Sequence, residues 1–224
     1  MTDRVQAMAL FKARVGKEKA VEGWIEGPAD AASNLRGINT LMLDFTDDPV
    51  FVNDLMEFCV AMELTFARAQ VEAGADIIGM GDPSSSIVGP HIYEQYLWPF
   101  QKKIVDGVRA LGAKVRVHIC GNTRRSLHLL GRLGADILDV DSMVPVAEAR
   151  EKTGPRQVLL GGIDPVRTLS MGSPESVAQS IRECYRVAMP RYIAGAGCEV
   201  PPEVPDANLT ALAGSLIMVE QADK

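Results

Sequence analysis

Two residues able to bind a metal ion, His118 and Cys120, lie near the middle of the chain in the sequence KVRVHICGNT at positions 114–123. Apolar residues there alternate with Arg116, His118 and Cys120, and this period of two is typical of a β-strand. On one face of such a strand the two side chains are about 6.6 Å apart, so both can reach one ion. The Gly-Asn pair that follows predicts a turn that ends the strand.

A histidine and a cysteine at this spacing occur often by chance, and buried copies are more often packed or hydrogen-bonded than metal-bound. A third residue favours metal binding. Cys198 lies in the sequence GAGCEVPP at positions 195–202, directly after another predicted strand. One histidine and two cysteines from the ends of different strands, with no fourth cysteine nearby, are typical of a catalytic zinc site with an exchangeable position.

Two acidic residues also follow predicted strands. Glu26 is a candidate for a fourth, displaceable zinc ligand, and a carboxylate that caps the following turn is the alternative. Asp82 is a candidate to orient substrate or to form a hydrogen bond with His118, and its alternative is a helix or turn cap. Asp139 and Asp141 share one strand face and are expected near the same strand ends, whereas Asp164 is interpreted as an ordinary turn carboxylate.

Composition narrows the class of protein. The 224 residues are 47% hydrophobic, which predicts one globular domain over residues 1–224. A net charge of −6 without a long basic cluster argues against nucleic-acid binding. The sequence has no apolar stretch of about 20 residues and no signal-peptide pattern, so we expect a cytoplasmic protein without membrane partners. The four cysteines are widely spaced, which favours thiols or metal ligands over disulfides.

Predicted strands and helices alternate along the chain. The strands are expected at residues 21–25, 76–80, 114–118, 136–140, 157–160 and 191–194, and the helices at residues 2–14, 50–73, 89–111, 123–133, 146–152, 173–189 and 208–221. The sequences GADIIGM at 74–80 and GADILDV at 134–140 repeat one helix-to-strand junction, in which glycine ends the helix. Alternation of this kind predicts an α/β protein with a parallel sheet.

The longest predicted helix begins at the sequence Asp47-Asp48-Pro49, where an aspartate caps the helix and proline occupies its first turn. Large apolar residues then recur every three or four positions, at Phe51, Leu55, Phe58, Met62 and Phe66. This spacing predicts that they form the core-facing side of the helix, with Cys59 in the same packing.

Five segments occur in the same order in a known family: GWIEGP at 23–28, GADIIGMGDP at 74–83, HICG at 118–121, GGIDP at 161–165 and GCEVPP at 197–202. Together they resemble the uroporphyrinogen decarboxylase superfamily. Within it they are similar to the corrinoid-dependent methyltransferases, including methylcobamide:coenzyme M methyltransferases. The resemblance implies a TIM-type (β/α)8 barrel that holds zinc in its mouth through His118, Cys120 and Cys198.

Six predicted strands are fewer than the eight of a closed barrel. One interpretation is that the chain lacks the first two β/α units of the family. The other is an open sheet whose edge is covered by a second copy of the chain, which would make the protein a homo-oligomer.

The resemblance implies a zinc-dependent enzyme that transfers a methyl group from a methylated corrinoid, presented by a corrinoid protein, to a small thiol such as coenzyme M. One alternative is a uroporphyrinogen decarboxylase-type lyase. Its acidic substrate needs several arginine partners, and the family's arginine-rich segment has no counterpart in this sequence. The other alternative is a non-catalytic paralogue that binds a corrinoid or zinc.

Overall fold

The computed structural model describes the backbone of residues 2–222 and the side chains of residues 2–214. The strands are β1 (Glu22–Glu26), β2 (Ile77–Gly81), β3 (Lys114–His118), β4 (Ile137–Val140), β5 (Val158–Gly161) and β6 (Tyr192–Ile193). The helices are α1 (Thr2–Val15), α2 (Pro28–Arg36), α3 (Ile38–Asp47), α4 (Pro49–Glu72), α5 (Pro90–Ile92), α6 (Trp98–Ala110), α7 (Leu127–Leu130), α8 (Val146–Thr153), α9 (Pro174–Ala188) and α10 (Asp206–Ala222). None of the helices in this described part is both long and apolar enough to cross a membrane.

All six predicted strands are present; β3 has the predicted bounds, and the bounds of the other five differ from the prediction by at most one residue at each end. The helices differ more from the prediction than the strands do. The helices α2 and α3 occupy a region where the sequence predicted no element, and the helix predicted at 123–133 is reduced to the short α7. The helix predicted at 89–111 is interrupted by a π-helical turn, Tyr93–Leu97, before α6 begins. Pro99, in the first turn of α6, lacks an N–H group and so cannot continue a preceding helical ladder.

Hydrogen bonding joins the strands in chain order, β1-β2-β3-β4-β5-β6, in a six-stranded sheet. Residue contacts divide the chain into two compact units. The N-terminal unit comprises Met1–Ile119 with Arg132–Asp136, and the C-terminal unit comprises Cys120–Gly131 with Ile137–Lys224. The organisation of residues 1–224 as a single domain stays a prediction.

In the N-terminal unit, β1, β2 and β3 pair in parallel, and the register aligns Glu26 with Gly81 and Gly81 with His118. One face of these strands is apolar and buried, with Ile25, Ile78, Met80, Val115 and Val117 each at most 2% exposed. The opposite face is polar. There the Arg116 guanidinium forms an ion pair with Glu22 at 3.0 Å and lies 5.6 Å from the centre of the Trp24 ring. The alternation of the strand sequences therefore separates a core face from a polar face.

The core-facing side predicted for α4 is wrong, because none of the five apolar residues assigned to it is buried, although the burial of Cys59 is confirmed. The buried residues of this helix are mainly small or flexible, and they include Val52, Met56, Cys59 and Ala67. Phe58 is instead 58% exposed and lines a groove together with residues of α1. The apolar period is present on both sides of α4, so only the packing of the neighbouring elements decides which side enters the core. The predicted cap is confirmed, because the Asp48 carboxylate accepts a hydrogen bond from a backbone N–H of the first turn.

In the C-terminal unit, β4, β5 and β6 pair in parallel. A core cluster beside them consists of Ile163, Leu169, Val177, Ile181 and Val204. Arg150 of α8 ties the N-terminal ends of β5 and β6 together. Its guanidinium donates hydrogen bonds to four backbone carbonyls, those of Gly154, Gln157, Ala188 and Arg191. Two of these carbonyls belong to the buried residues Gln157 and Ala188, whose acceptors need a partner inside the protein.

Candidate metal centre

His118 is the last residue of β3, and Cys120 follows two residues later. Val115 and Val117 are fully buried on one face of β3, which leaves the His118 side chain half-buried on the other face. Gly121 then adopts a φ of +87°, a backbone conformation that glycine reaches without steric strain. The strand and the turn that the sequence predicted therefore bring both side chains to the C-terminal end of β3.

Cys198 lies in the loop that follows β6. The N–H of Gly197 donates to the carbonyl of Ile163 at 2.7 Å, and an isolated parallel bridge joins Ile163 to Ala196. These contacts extend strand-like pairing beyond the two residues of β6. They fix the backbone immediately before Cys198.

The structure brings His118, Cys120 and Cys198 together, with one ligand atom from each within 4.8 Å of the others. The Cys198 thiol donates to the Cys120 sulfur at an Sγ–Sγ distance of 3.4 Å, and neither cysteine is in a disulfide. An imidazole nitrogen and two sulfurs are donors that zinc prefers, and three protein ligands leave one tetrahedral position for another group. The residues fit a zinc ion in donor type and in spacing.

Burial, together with the adjacent Cys198 thiol, raises the pKa of Cys120 to about 12. Both effects disfavour the thiolate because a negative charge would lie in a desolvated place next to another sulfur. A divalent cation reverses this preference, since it stabilises thiolates strongly and displaces their protons. The pair is therefore suited to hold a cation and is poorly suited to act as a nucleophile by itself.

Asp141, directly after β4, is buried with 6% exposure. Its Oδ2 accepts a hydrogen bond from the N–H of Gly121 at 2.7 Å, and its Oδ1 accepts one from the N–H of Met143 at 2.8 Å. It thereby holds the turn that follows Cys120. Asp139 is buried within β4. Asp164 has the ordinary role predicted for it, because its carboxylate accepts from two backbone N–H groups of the turn after β5.

Asp82, directly after β2, is completely buried. Its Oδ1 accepts from the N–H of Asp30 at 2.8 Å, and its Oδ2 accepts from the Ser85 hydroxyl and the Gln101 amide, each at 2.7 Å. Desolvation raises its pKa to about 6, although these hydrogen bonds favour the carboxylate. Its link to His118 runs through the backbone, because the Asp82 N–H donates to the His118 carbonyl at 2.9 Å.

Glu26 is the last residue of β1, and its carboxylate accepts a hydrogen bond from the Asn34 amide at 3.0 Å. The register places Glu26 two strands from His118 on the same side of the sheet, which separates their backbones by about 10 Å. Among the residues that the structure describes, the ligand atoms that cluster within 4.8 Å do not include those of Glu26. Its role as a fourth ligand stays a prediction.

Among the buried polar residues that the sequence did not predict, Glu63 is hydrogen-bonded to Glu26 and Gln101 to Asp82. Glu63 of α4 accepts a hydrogen bond from the N–H of Glu26 at 3.2 Å, and burial raises its pKa to about 7. Gln101 of α6 links Asp82 to the hydroxyl of Tyr93, which donates to it at 2.7 Å. Each of these two residues, Glu63 and Gln101, is a polar residue on the apolar side of its helix, where a hydrophobic residue is expected. This exception in the sequence could have identified both of them.

Comparison with known proteins places these residues in a family context. The chain matches the family model described as Uroporphyrinogen decarboxylase (URO-D) over residues 3–216. Methylcobamide:CoM methyltransferase MtbA from Methanosarcina acetivorans is 32% identical over 207 residues, which is 92% of this chain and 60% of that protein. Uroporphyrinogen decarboxylase from Streptomyces coelicolor is 31% identical over 141 residues, which is 63% of this chain and 39% of that protein.

The chain thus spans about 60% of the length of the curated methyltransferases that it matches. Among solved structures, a methyltransferase from Methanosarcina mazei superposes with a TM-score of 0.90 at 24% identity, over 97% of this chain and 64% of that one. This likeness concerns the fold alone. It confirms the predicted α/β architecture of the TIM-barrel type, of which the described residues contribute six strands.

Proposed function

We propose that this chain, which belongs to the uroporphyrinogen decarboxylase family, is a zinc-dependent methyltransferase that moves a methyl group from a methylated corrinoid to a small thiol. One observation carries the proposal. An imidazole and two thiols have ligand atoms within 4.8 Å of one another, in a chain 32% identical to a methylcobamide:CoM methyltransferase. This donor set suits a metal site that activates a thiol.

The proposed ligands are His118, Cys120 and Cys198. Bound zinc would supply the positive charge that keeps a substrate thiol deprotonated at neutral pH. Donation from two cysteine thiolates would keep that substrate thiolate electron-rich and reactive. The turn after β3 and the loop after β6 would hold the two cysteines at the separation that such ligation needs.

The reaction that we propose balances simply. The substrate thiol would release its proton to solvent, and its sulfur would attack the methyl carbon bound to cobalt. A sulfur–carbon bond forms as the cobalt–carbon bond breaks, and the electron pair of the broken bond remains on cobalt. The products are a methyl thioether and a corrinoid reduced by two electrons, so no further oxidant or reductant is needed.

Two acidic residues have supporting roles in this proposal. Glu26 would be a fourth ligand that the substrate thiol displaces, a role suited to an exposed carboxylate at the end of β1. Asp82 would maintain the end of β3, because its N–H donates to the His118 carbonyl while its buried carboxylate is held by three donors.

The proposed partners follow from the same chemistry. The methyl donor would be a methylated corrinoid carried by a separate corrinoid protein, and the acceptor would be a small thiol of the coenzyme M type. Support comes from relatives whose names pair methylcobamide with CoM. We propose no nucleic-acid partner, since the net charge of −6 gives no electrostatic basis for one.

A lyase of the uroporphyrinogen decarboxylase type is the second candidate, because decarboxylases from Streptomyces are about as similar to this chain over a shorter region. Such an activity recognises the acidic groups of its substrate with arginines. Recognition by arginines does not require two cysteine sulfurs 3.4 Å apart beside a histidine. The methyltransferase proposal accounts for those sulfurs directly.

The proposal is tested by metal content and by thiol methylation with methylcobalamin as the donor. We expect about one zinc ion per chain. We also expect thiol-dependent loss of the cobalt–carbon bond, which is measured by the change in visible absorbance. Cys120→Ala and Cys198→Ala should lose both zinc and activity. Cys184→Ala is the matched control, because Cys184 is another half-buried thiol that lies on α9, away from the three proposed ligands.

Two results would count against the methyltransferase. One is zinc retained at wild-type affinity by Cys198→Ala. The other is release of carbon dioxide from a porphyrinogen by metal-free protein, which would favour the lyase.

A further inference from the structure

We infer that Asp141 is a positioning residue that sets the separation between the sulfurs of Cys120 and Cys198 without contacting either thiol as a ligand. The inference rests on the proposed function, in which those two sulfurs hold zinc. Asp141 connects to both cysteines through the backbone, by its carboxylate on one side and by its own peptide group on the other.

The carboxylate side controls the Cys120 turn. Asp141 is buried, and its Oδ2 accepts a hydrogen bond of 2.7 Å from the N–H of Gly121, the residue directly after Cys120. Its Oδ1 accepts a second bond of 2.8 Å from the N–H of Met143. A carboxylate held at both oxygens has little freedom to rotate. The peptide that carries Cys120 is therefore fixed relative to the end of β4.

The backbone side controls the Cys198 loop. Gly197 packs so closely on the peptide after Asp141 that an added Cβ atom would lie 2.4 Å from the Ser142 nitrogen and 3.1 Å from the Asp141 carbonyl carbon. Only a residue without a side chain permits this approach. The peptide before Cys198 thus rests directly on the peptide that follows Asp141.

The strand ends next to Asp141 and Gly197 are themselves held together by backbone contacts. The N–H of Gly162 donates to the Val140 carbonyl at 2.7 Å, and the Tyr192 hydroxyl donates to the Gly161 carbonyl at 2.8 Å. An added Cβ on Gly161 would lie 2.8 Å from the Val140 oxygen and 2.9 Å from the Ala196 oxygen. The backbones at the ends of β4, β5 and β6 therefore pack directly against one another, and this packing fixes the position of Asp141.

The resulting separation suits a metal site. With zinc–sulfur bonds of about 2.3 Å and a tetrahedral angle, two cysteine sulfurs lie about 3.8 Å apart. The observed distance of 3.4 Å needs an increase of only a few tenths of an ångström. Loss of the Asp141 carboxylate would free the Cys120 turn, so the two sulfurs would spend less time at the separation that zinc requires.

Asp164 provides a matched control. It also follows a strand, and its carboxylate also accepts from two backbone N–H groups, those of Val166 and Arg167 at 2.9 and 2.8 Å. Asp164 has no such bond to the residue after a cysteine. Asp141→Ala and Asp164→Ala therefore remove equivalent turn contacts, and only the first removes a hydrogen bond to the residue that follows a proposed ligand.

The experiment measures zinc affinity by competition with a chromophoric chelator for wild type, Asp141→Ala, Asp141→Asn and Asp164→Ala. The visible charge-transfer band of the cobalt(II)-substituted protein reports thiolate geometry. Binding of phenylarsine oxide to metal-free protein reports the proximity of the two thiols without any metal. Urea unfolding of each variant measures the stability that the turn contacts contribute.

We expect Asp141→Ala to weaken zinc binding about 10- to 100-fold, to change the cobalt band and to weaken arsenical binding. Asp141→Asn should lie between Asp141→Ala and wild type, because its amide oxygen retains one acceptor, and it decides the question if Asp141→Ala fails to fold. Asp164→Ala should lose stability and match wild type in all three site measurements.

Wild-type zinc and arsenical affinity in Asp141→Ala would overturn the inference, and so would an equal loss in Asp164→Ala. The proposed function fails separately. If wild type shows no methyl transfer, or binds no zinc, a selective loss of arsenical binding in Asp141→Ala still supports the positioning role, and its absence overturns it.

Discussion

The strands β2 and β4 are each preceded by the sequence Gly-Ala-Asp, and the two aspartates make the same contacts. Asp76 accepts a hydrogen bond from the N–H of Val21 at 2.9 Å, and Asp136 accepts one from the N–H of Val115 at 3.0 Å. Each aspartate also donates its own N–H to the carbonyl of the same valine. The repeated sequence thus fastens the beginning of one strand to the beginning of the previous strand.

A buried aspartate directly follows both β2 and β4, but the two carboxylates have different partners. Beyond β2, the Asp82 carboxylate is buried among three donors, and its pKa is raised to about 6 by desolvation. Beyond β4, Asp141 holds the turn after Cys120. The pKa values of Asp76 and Asp136 are instead lowered, in Asp76 chiefly by the Lys12 ammonium. In Asp136, hydrogen bonds from Val115 and Lys114 outweigh the effect of burial.

The beginnings of β2 and β4 are thus alike in the contacts that stabilise them, whereas the carboxylates at their ends differ in their partners. This division is expected for parallel α/β folds, whose sites lie at the carboxyl ends of strands. Three sets of variants test it.

The largest effect is expected for Gly197→Ala, beyond the end of β6. The new Cβ would lie 2.4 Å from the backbone nitrogen of Ser142, and a backbone atom cannot move aside as a side chain can. We expect a loss of about 3 kcal/mol in the free energy of unfolding and at least about a 10-fold loss in zinc affinity. Urea denaturation and chelator competition measure the two quantities.

Gly79→Ala in β2 is the control for crowding. Its Cβ would meet ring carbons of Trp24 at 2.2 and 2.4 Å, but this side chain is 42% exposed and can swing away. The expected cost is about 1 kcal/mol, with no change in zinc binding. Equal effects of the two variants would show that crowding at strand ends has no special link to the metal centre.

A smaller effect is expected at the strand beginnings. Asp76→Ala and Asp136→Ala each leave a backbone N–H of the preceding strand without its carboxylate partner, which costs about 2 kcal/mol at neutral pH. Because the pKa values in the folded protein lie below the unfolded value of 3.8, this stabilisation is lost as the pH falls through them. The variants should therefore approach wild type in stability at pH values well below the unfolded pKa of 3.8.

Zinc affinity is the second measurement on these variants. We expect Asp76→Ala and Asp136→Ala to bind zinc like wild type, because neither carboxylate touches a proposed ligand. A 10-fold or greater loss in either one would erase the distinction between strand beginnings and strand ends.

The smallest effect concerns Glu63, which extends the comparison to the end of β1. Burial raises its pKa from 4.5 to about 7, so the folded protein binds a proton that the unfolded chain releases. Stability is then lost as the pH rises from about 4.5 to 7, the reverse of the trend for Asp76. Glu63→Gln removes this loss while its amide oxygen can still accept from the N–H of Glu26.

We expect Glu63→Gln to be equal to wild type in stability near pH 4 and to become the more stable of the two as the pH rises from about 4.5 to 7. Urea unfolding across this range provides the measurement. A constant difference between the two proteins at every pH would mean that Glu63 does not titrate in the folded state.

Several features of the fold were readable from short stretches of sequence. Six strands were predicted because apolar residues alternate or cluster over four or five positions, and Asp48 was identified as a cap because Pro49 follows it. The helices α2 and α3 were not predicted, since they have only 9 and 10 residues, and helices this short depend on packing for their stability. The exposed side of α4 was misjudged for a related reason, because two apolar faces compete and neighbours decide between them.

The sequence alone determined the local parts of the candidate site. A period of two placed His118 and Cys120 on the same face, and glycines allowed the turns after β3 and before Cys198. Both features could be read from the sequence because side-chain alternation and dihedral preferences act over a few residues. Only the tertiary structure decided that Cys120 and Cys198, 78 residues apart, lie with their sulfurs 3.4 Å from each other. That distance depends on close backbone packing around Gly161 and Gly197 and on the Asp141 hydrogen bonds, and such contacts arise only when distant strand ends meet.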